Sequence, residues 1–228
     1  MSQCFLYNQC NHKDCDKDYC NRKFRMTVLY NKSLVSEKHR TRITLYWDND
    51  GSDQQAFMNL HNIELDIKNF VQSGRNLFIH SANCGNGKTS WSLRLLDAYF
   101  NKIWPKTDLT CKGLFISVPM FLTSLKNSIT NYNEYVEYVK ANVMEADLVI
   151  WDDIAAKTGS EFEINQLLSY IEGRLTRGKA NIFTSNLNRN EISANLGPRL
   201  ASRICNMSTD IELKGADKRF FNIQSTNV

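Results

Sequence analysis

The chain contains no apolar run approaching the ~20 residues that a bilayer-spanning helix needs, so no membrane segment is expected. Its first residues, MSQCFLYNQC, hold neither an apolar core nor a small-residue cleavage site, so a secretory signal is not expected and the cytosol is the default compartment. There is no internal repeat and no low-complexity tract. Charge of one sign is also scarce: the net charge of +4 over 228 residues permits contact with nucleic acid without arguing for it. What remains, 42% hydrophobic and 23% charged, is the composition of an ordinary globular protein, long enough for one α/β domain and a small appendage.

Three zones follow one another. Residues 1–22 are short, polar and rich in Cys, Asp and Asn, and cannot form a hydrophobic core. Residues 23–74 are mixed, with basic residues from Arg22 to Arg42. Later in this zone Phe57, Leu60, Glu64, Ile67, Phe70 and Val71 recur at helical spacing, with Gly74 as a C-cap. One amphipathic helix is therefore expected there. From Arg75 onward short apolar runs alternate with helical stretches: Asn76 to His80, Leu114 to Val118, Leu148 to Trp151, Asn181 to Thr184 and Thr209 to Leu213. Five buried strands separated by helices indicate an α/β fold, a parallel sheet with helices on both faces. The long stretch from Pro119 to Ala146 reads as helical.

The first strand runs into Ser81-Ala82-Asn83-Cys84-Gly85-Asn86-Gly87-Lys88-Thr89-Ser90 and then a helical run, Trp91 to Phe100. This meets the phosphate-loop pattern G-x-x-x-x-G-K-[ST] except that Ala82 replaces the first glycine. Gly85 and Gly87 let backbone N–H groups close around phosphate oxygens, and the helix adds its positive end. Lys88 is expected at the β- and γ-phosphates and the Thr89 hydroxyl on Mg²⁺. Asp147-Leu148-Val149-Ile150-Trp151-Asp152-Asp153 is an apolar strand ending in two acids. Beside a phosphate loop, these read as Asp152 holding Mg²⁺ through water and Asp153 orienting the attacking water. Alone, they would read equally as an acidic turn capping the next helix. Asp153 is one methylene shorter than the Glu common there, so slow hydrolysis is expected. Asn186, after the fourth strand, is the candidate polar group between the carboxylates and the γ-phosphate; an ordinary turn asparagine is the alternative. Arg199 and Arg203, four apart on one helical face, are candidates for an arginine finger supplied to a neighbouring subunit, against the plainer reading of surface arginines.

Cys4, Cys10, His12, Cys15 and Cys20 offer five ligands to a metal that takes four, spaced C-x5-C-x-H-x2-C-x4-C. A structural Zn²⁺ would order a segment too short to fold by burial, at ~10–16 kcal/mol in small peptides; a tail of reduced thiols is the alternative. Cys84, Cys111 and Cys205 read as packing residues. The basic run Arg22, Lys23, Arg25, Lys32, Lys38, Arg40 and Arg42, with Phe24 and Tyr30, reads as a solvated face or a phosphate track.

Taken in order, Gly-Asn-Gly-Lys-Thr, Leu-Val-Ile-Trp-Asp-Asp, Phe-Thr-Ser-Asn-Leu, Arg-Leu-Ala-Ser-Arg-Ile and the closing Leu213-Lys214-Gly215-Ala216-Asp217-Lys218-Arg219 resemble the AAA+ helicase loaders of the DnaC/DnaI type, with the IstB transposition ATPases close behind. The resemblance covers residues 75–219, and 1–22 in style only, where the Cys-rich start and compact size look like the versions carried by phages of Gram-positive bacteria. It implies a P-loop domain over 75–228 without a helical lid, a helical linker over 23–74 and a zinc-binding segment over 1–22 that grips the helicase. It further implies a Mg·ATP-dependent ATPase in the cytoplasm, or host cytoplasm. Such a protein self-associates through ATP-bridged interfaces, contacts single-stranded DNA and delivers a hexameric replicative helicase. Lys88 and Thr89 become Walker A, Asp152 and Asp153 Walker B, Asn186 sensor 1, and Arg203, then Arg199, the finger. The competing functions are a transposition helper ATPase and a weakly hydrolysing adaptor or inhibitor of a partner protein.

Overall fold

A computed structural model describes residues 17–40, 45, 51–156 and 158–218. Five parallel strands, β1 (Asn76–His80), β2 (Gly113–Ser117), β3 (Leu148–Asp152), β4 (Ala180–Ser185) and β5 (Thr209–Glu212), form one sheet in the order β2-β3-β4-β1-β5. The expected α/β architecture and all five strands are present, the ends of each within one residue of the sequence reading. Side-chain alternation along the strands divides the core into two. Leu77, Ile79, Leu148, Ile150, Ala180 and Ile182 face one side. Phe78, Val149, Trp151 and Phe183 face the other.

The first side is covered by α1 (Lys17–Lys32), α2 (Gln54–Leu65), α3 (Ile67–Gln72) and the helix after the phosphate loop, α4 (Lys88–Ile103). The other side is covered by α5 (Val118–Asn127), α6 (Glu134–Asn142), α7 (Glu161–Thr176), α8 (Arg189–Leu196) and α9 (Pro198–Cys205). Thus α1 to α3 bury Leu29, Phe57, Leu60, Ile67 and Phe70 in the same core as the sheet. The single helix expected over 57–71 is two, broken at Asp66, whose φ of −99° and ψ of 19° leave the helical basin. The break lets α2 pack on α4 and β5 while α3 packs on α4 and β4. Gly74 is the expected stop: at φ 62° it closes a Schellman cap, its N–H on Val71 O and that of Arg75 on Phe70 O. The stretch after β2 is likewise two helices, α5 and α6, separated by residues 128–133.

The amino ends of the strands are tied by a fully buried guanidinium. Arg174 on α7 donates to Asn181 Oδ1 (2.7 Å), Val143 O (2.6 Å), Ala146 O (2.8 Å) and Ala180 O (2.5 Å). Asn181 also accepts from Trp151 Nε1 and donates to Asn76 Oδ1, so the network spans β1, β3 and β4. Burial pushes the Arg174 pKa down to about 9, which leaves it charged at neutral pH. Removing one member of such a network strands the others. Arg174→Ala is therefore expected to lower unfolding stability by about 3–5 kcal/mol, read as the urea midpoint. A loss near zero would show that the four acceptors find water instead.

Candidate functional site

β1 ends at His80 and the chain turns through 81–87 into α4, whose N-cap is Gly87 at φ 108°. Gly85 sits at φ 70°, and a Cβ there would run into the Asp217 carboxylate, so this position requires glycine. Ala82 is not among the residues with positive φ, so an alanine in place of the pattern's first glycine introduces no left-handed strain. The loop is braced from behind. Asn86 donates to Ser81 Oγ and to Leu213 O, and Asn83 donates to Lys214 O (3.0 Å) and Gly215 O (3.1 Å). The strand-end segment 213–218 is in turn held by Asp53, only 3% exposed at the start of α2. Asp53 accepts from the Lys214 and Gly215 N–H groups and pairs with Lys218, whose own N–H meets Gly85 O.

Lys88 is buried, its ammonium on Asn83 O (2.8 Å) and Asn86 Oδ1 (3.3 Å), both neutral acceptors. Thr89 Oγ1 donates to Asp152 Oδ1 (2.9 Å), and Thr184 Oγ1 donates to the same oxygen (2.8 Å). Thr184 Oγ1 also accepts the Asp153 N–H (2.9 Å), which places Asp153 at φ 55°, a left-handed conformation uncommon outside glycine. Burial first, and the neighbouring Asp153 charge, push the Asp152 pKa up to about 6, against the two hydroxyl bonds and Lys88.

A cavity of about 360 Å³ opens at this carboxyl edge of the sheet, lined by Gly85, Gly87, Lys88, Thr89, Ser90, Leu93, Asp153 and Asn186, and by Lys38 and His39 from the amino-terminal region. The structure thus gathers Lys88, Thr89, Ser90, Asp153 and Asn186 around one space, with Asp152 hydrogen-bonded beneath it. Ala82, Asn83 and Cys84 stand exposed on the loop. Cys84 is therefore not the packing residue its type suggested, whereas Cys111 and Cys205 are buried. Arg199 and Arg203 lie elsewhere, exposed on α9, both paired with Glu172 of α7 (3.1 Å each). Cys4, Cys10, His12 and Cys15 lie outside the described residues, as does Arg219 of the closing motif; Cys20 is half-buried on α1. Among the described residues no three His, Cys, Asp or Glu side chains gather as a metal site. Sequence reasoning missed Thr184, Lys38 and His39 as site residues. Only Thr184 carried a signal, a hydroxyl two residues before Asn186.

These residues fit Mg²⁺ and a nucleotide. The loop leaves open space over Gly87, the Lys88 ammonium rests on the neutral oxygens of Asn83 and Asn86, and a hydroxyl and a carboxylate oxygen already meet where the metal would be shared.

The raised Asp152 pKa has a sign that can be tested. The folded pKa lies above the ordinary carboxylate value, so stability from this group is full below about pH 4 and is lost as pH rises to about 6. At pH 8 the ionised carboxylate is a net burden on the fold. Asp152→Asn is expected to melt at the same or a higher temperature than wild type at pH 8 without ligand, and to lack the rise in melting temperature expected of wild type with Mg·ATP. A lower melting point with the Mg·ATP response intact would contradict the assignment.

No protein-family model matches the chain, and no curated protein matches it by sequence. Solved structures do match. The DnaC helicase loader superposes with a TM-score of 0.62 at 18% identity, over 78% of this chain and 100% of that one. DnaI matches with 0.61 at 19%, over 82% and 95%. The replication initiator DnaA bound to AMPPCP and single-stranded DNA matches with 0.60 at 16%, over 85% and 56%. The chain has the AAA+ P-loop fold of these replication proteins, a five-stranded parallel α/β sheet flanked by helices.

Proposed function

We propose that this protein is a Mg·ATP-dependent ATPase of DNA replication that loads a hexameric replicative helicase onto single-stranded DNA. The observation that carries the reading is the junction of Thr89, Asp152 and Thr184, with Lys88, Asp153 and Asn186 around one cavity, on a fold shared with the DnaC helicase loader and with DnaI. A structural relative that binds both an ATP analogue and single-stranded DNA supports the ligand classes.

In this reading the backbone amides of 83–88 and the α4 N-terminus cradle the phosphates, and Lys88 exchanges Asn83 O for phosphate oxygens. Thr89 and ionised Asp152 would hold Mg²⁺, which supplies charge neutralisation for phosphoryl transfer. Asp153, set by its left-handed backbone, orients the attacking water and accepts its proton, and Asn186 positions that water. The shorter reach of Asp relative to Glu makes intrinsic turnover slow and leaves room for stimulation by DNA or a partner. Arg203 and Arg199 would act on a neighbouring subunit's nucleotide, exchanging Glu172 for phosphate across an ATP-bridged interface. The Cys4, Cys10, His12, Cys15 and Cys20 set would bind Zn²⁺ structurally in the segment that meets the helicase, with 23–74 as linker and 75–228 as ATPase domain. No helix among the described residues is long and apolar enough to cross a membrane.

The test is ATP turnover by wild type and Lys88→Ala, each with and without single-stranded DNA. Turnover stimulated by single-stranded DNA and reduced about 100-fold or more in the mutant is expected, as for loss of one preorganised phosphate contact. Stimulation by duplex DNA alone would favour a transposition helper. Nucleotide binding without turnover under any condition would favour an adaptor, and no binding by wild type would remove the ATPase reading.

A further inference from the structure

Two residues of the cavity come from the chain that precedes β1. Lys38 and His39 lie in a single 3₁₀ turn, Glu37–His39, and line the same space as Lys88, Thr89, Asp153 and Asn186. The turn reaches this position because the chain leaves α1 at a corner built from buried contacts. Ser33 is fully buried; its carbonyl accepts the N–H of Phe115 on edge strand β2 (2.8 Å), and its hydroxyl donates to Tyr30 O (2.7 Å). Leu34 takes φ 62°, a left-handed conformation unusual for leucine, and Val35 returns to the core at 2% exposure. Arg40 then closes the turn from the far side, donating to Val35 O (3.0 Å) and Asn31 Oδ1 (2.6 Å). Ser36 and His39 hydrogen-bond across it (3.1 Å). A strained corner anchored on β2 and braced by Arg40 is a fixed scaffold, unlike a tail lying by chance on the surface.

Its location gives the scaffold a chemical role. The turn follows the Ser33 contact with β2 and lines the cavity together with Ser90, Leu93, Asp153 and Asn186. The opposite side of the phosphate loop is occupied by Asp53 and segment 213–218. Among the described residues the lysines lining the cavity are Lys88, buried at its floor, and Lys38, exposed at its mouth, and none of those lining residues is an arginine. Arg199 and Arg203 are engaged by Glu172 on the surface.

We propose that Lys38 is a phosphate-contacting residue supplied in cis, whose ammonium engages the terminal phosphate of a bound nucleoside triphosphate from the side opposite Lys88. The inference rests on the nucleotide reading of the cavity and adds to it a basis for telling triphosphate from diphosphate. His39, tied to Ser36, walls the same mouth. Because the turn is built onto the first strand-edge contact after α1, the amino-terminal region senses whether the terminal phosphate is present.

The test is equilibrium binding of AMPPCP and of ADP, each with Mg²⁺, to the full chain as wild type, Lys38→Met, Lys38→Arg and Lys88→Ala. A charge-assisted contact to the terminal phosphate predicts that Lys38→Met weakens AMPPCP about 10-fold or more while ADP changes less than about 2-fold. Lys38→Arg should retain most of the AMPPCP affinity, and Lys88→Ala should lose both nucleotides. Equal weakening of AMPPCP and ADP by Lys38→Met, with or without a lower melting temperature, would mark a structural role and overturn the proposal. So would unchanged AMPPCP binding in a Lys38→Met protein while Lys88→Ala abolishes it, which would leave the nucleotide site standing. Wild type binding neither nucleotide would overturn both.

Discussion

One carboxylate oxygen, Asp152 Oδ1, joins three elements that are distant in sequence. It accepts hydroxyl bonds from Thr89 at the start of α4 and from Thr184 in β4, and it is itself the last atom group of β3. The phosphate-loop helix, the acidic strand and the strand that carries Asn186 are therefore in register at their carboxyl ends. The same Thr184 oxygen accepts the Asp153 N–H, so the second acid inherits its place from this junction. The carboxylate is costly to ionise where it lies, because burial and the neighbouring acid outweigh the two hydroxyl bonds. A divalent cation would reverse that balance. The strain at the site, in a charged buried acid and a left-handed Asp153, is the kind a ligand relieves.

The two ends of the sheet divide structure from chemistry. At the amino ends, Arg174 and Asn181 satisfy one another and the strand-leading carbonyls in a buried network. At the carboxyl ends, polar groups meet around open space. Parallel α/β sheets place ligands at this edge because the loops leaving the strands are free to diverge there. Asp53 fixes the loop from the β5 side and the Lys38 turn flanks it from the β2 side. The amino-terminal helices are thereby part of the site's frame.

The parts of this arrangement legible in sequence were the local ones. Leu77 to Ile79 and Leu148 to Trp151 are short apolar runs with turn or acidic ends, and Gly85-Asn86-Gly87-Lys88-Thr89 carries its geometry in its glycines. Contacts set by long-range packing were not legible. Thr184 reads as an ordinary strand residue until β3 and β4 lie side by side. Lys38 reads as one charge in a basic run, because nothing local says that Ser33 will pair with β2 and bring the turn to the cavity. The break at Asp66 was hidden because the apolar spacing runs through it, while the direction of burial changes from α2 to α3. Nothing local marks Asp53, yet it is among the least exposed carboxylates, since its partners arrive from 214 and 215.

The most direct measurement is a crystal structure of the full chain with Mg²⁺ and AMPPCP. The account predicts the nucleotide over 83–90, with the Lys88 ammonium moved from Asn83 O to phosphate oxygens. It also predicts the Thr89 hydroxyl and Asp152 Oδ1 parted and turned onto the metal or its water. A nucleotide bound elsewhere, or one bound there with Lys88 still on Asn83 O and Thr89 still on Asp152, would contradict it.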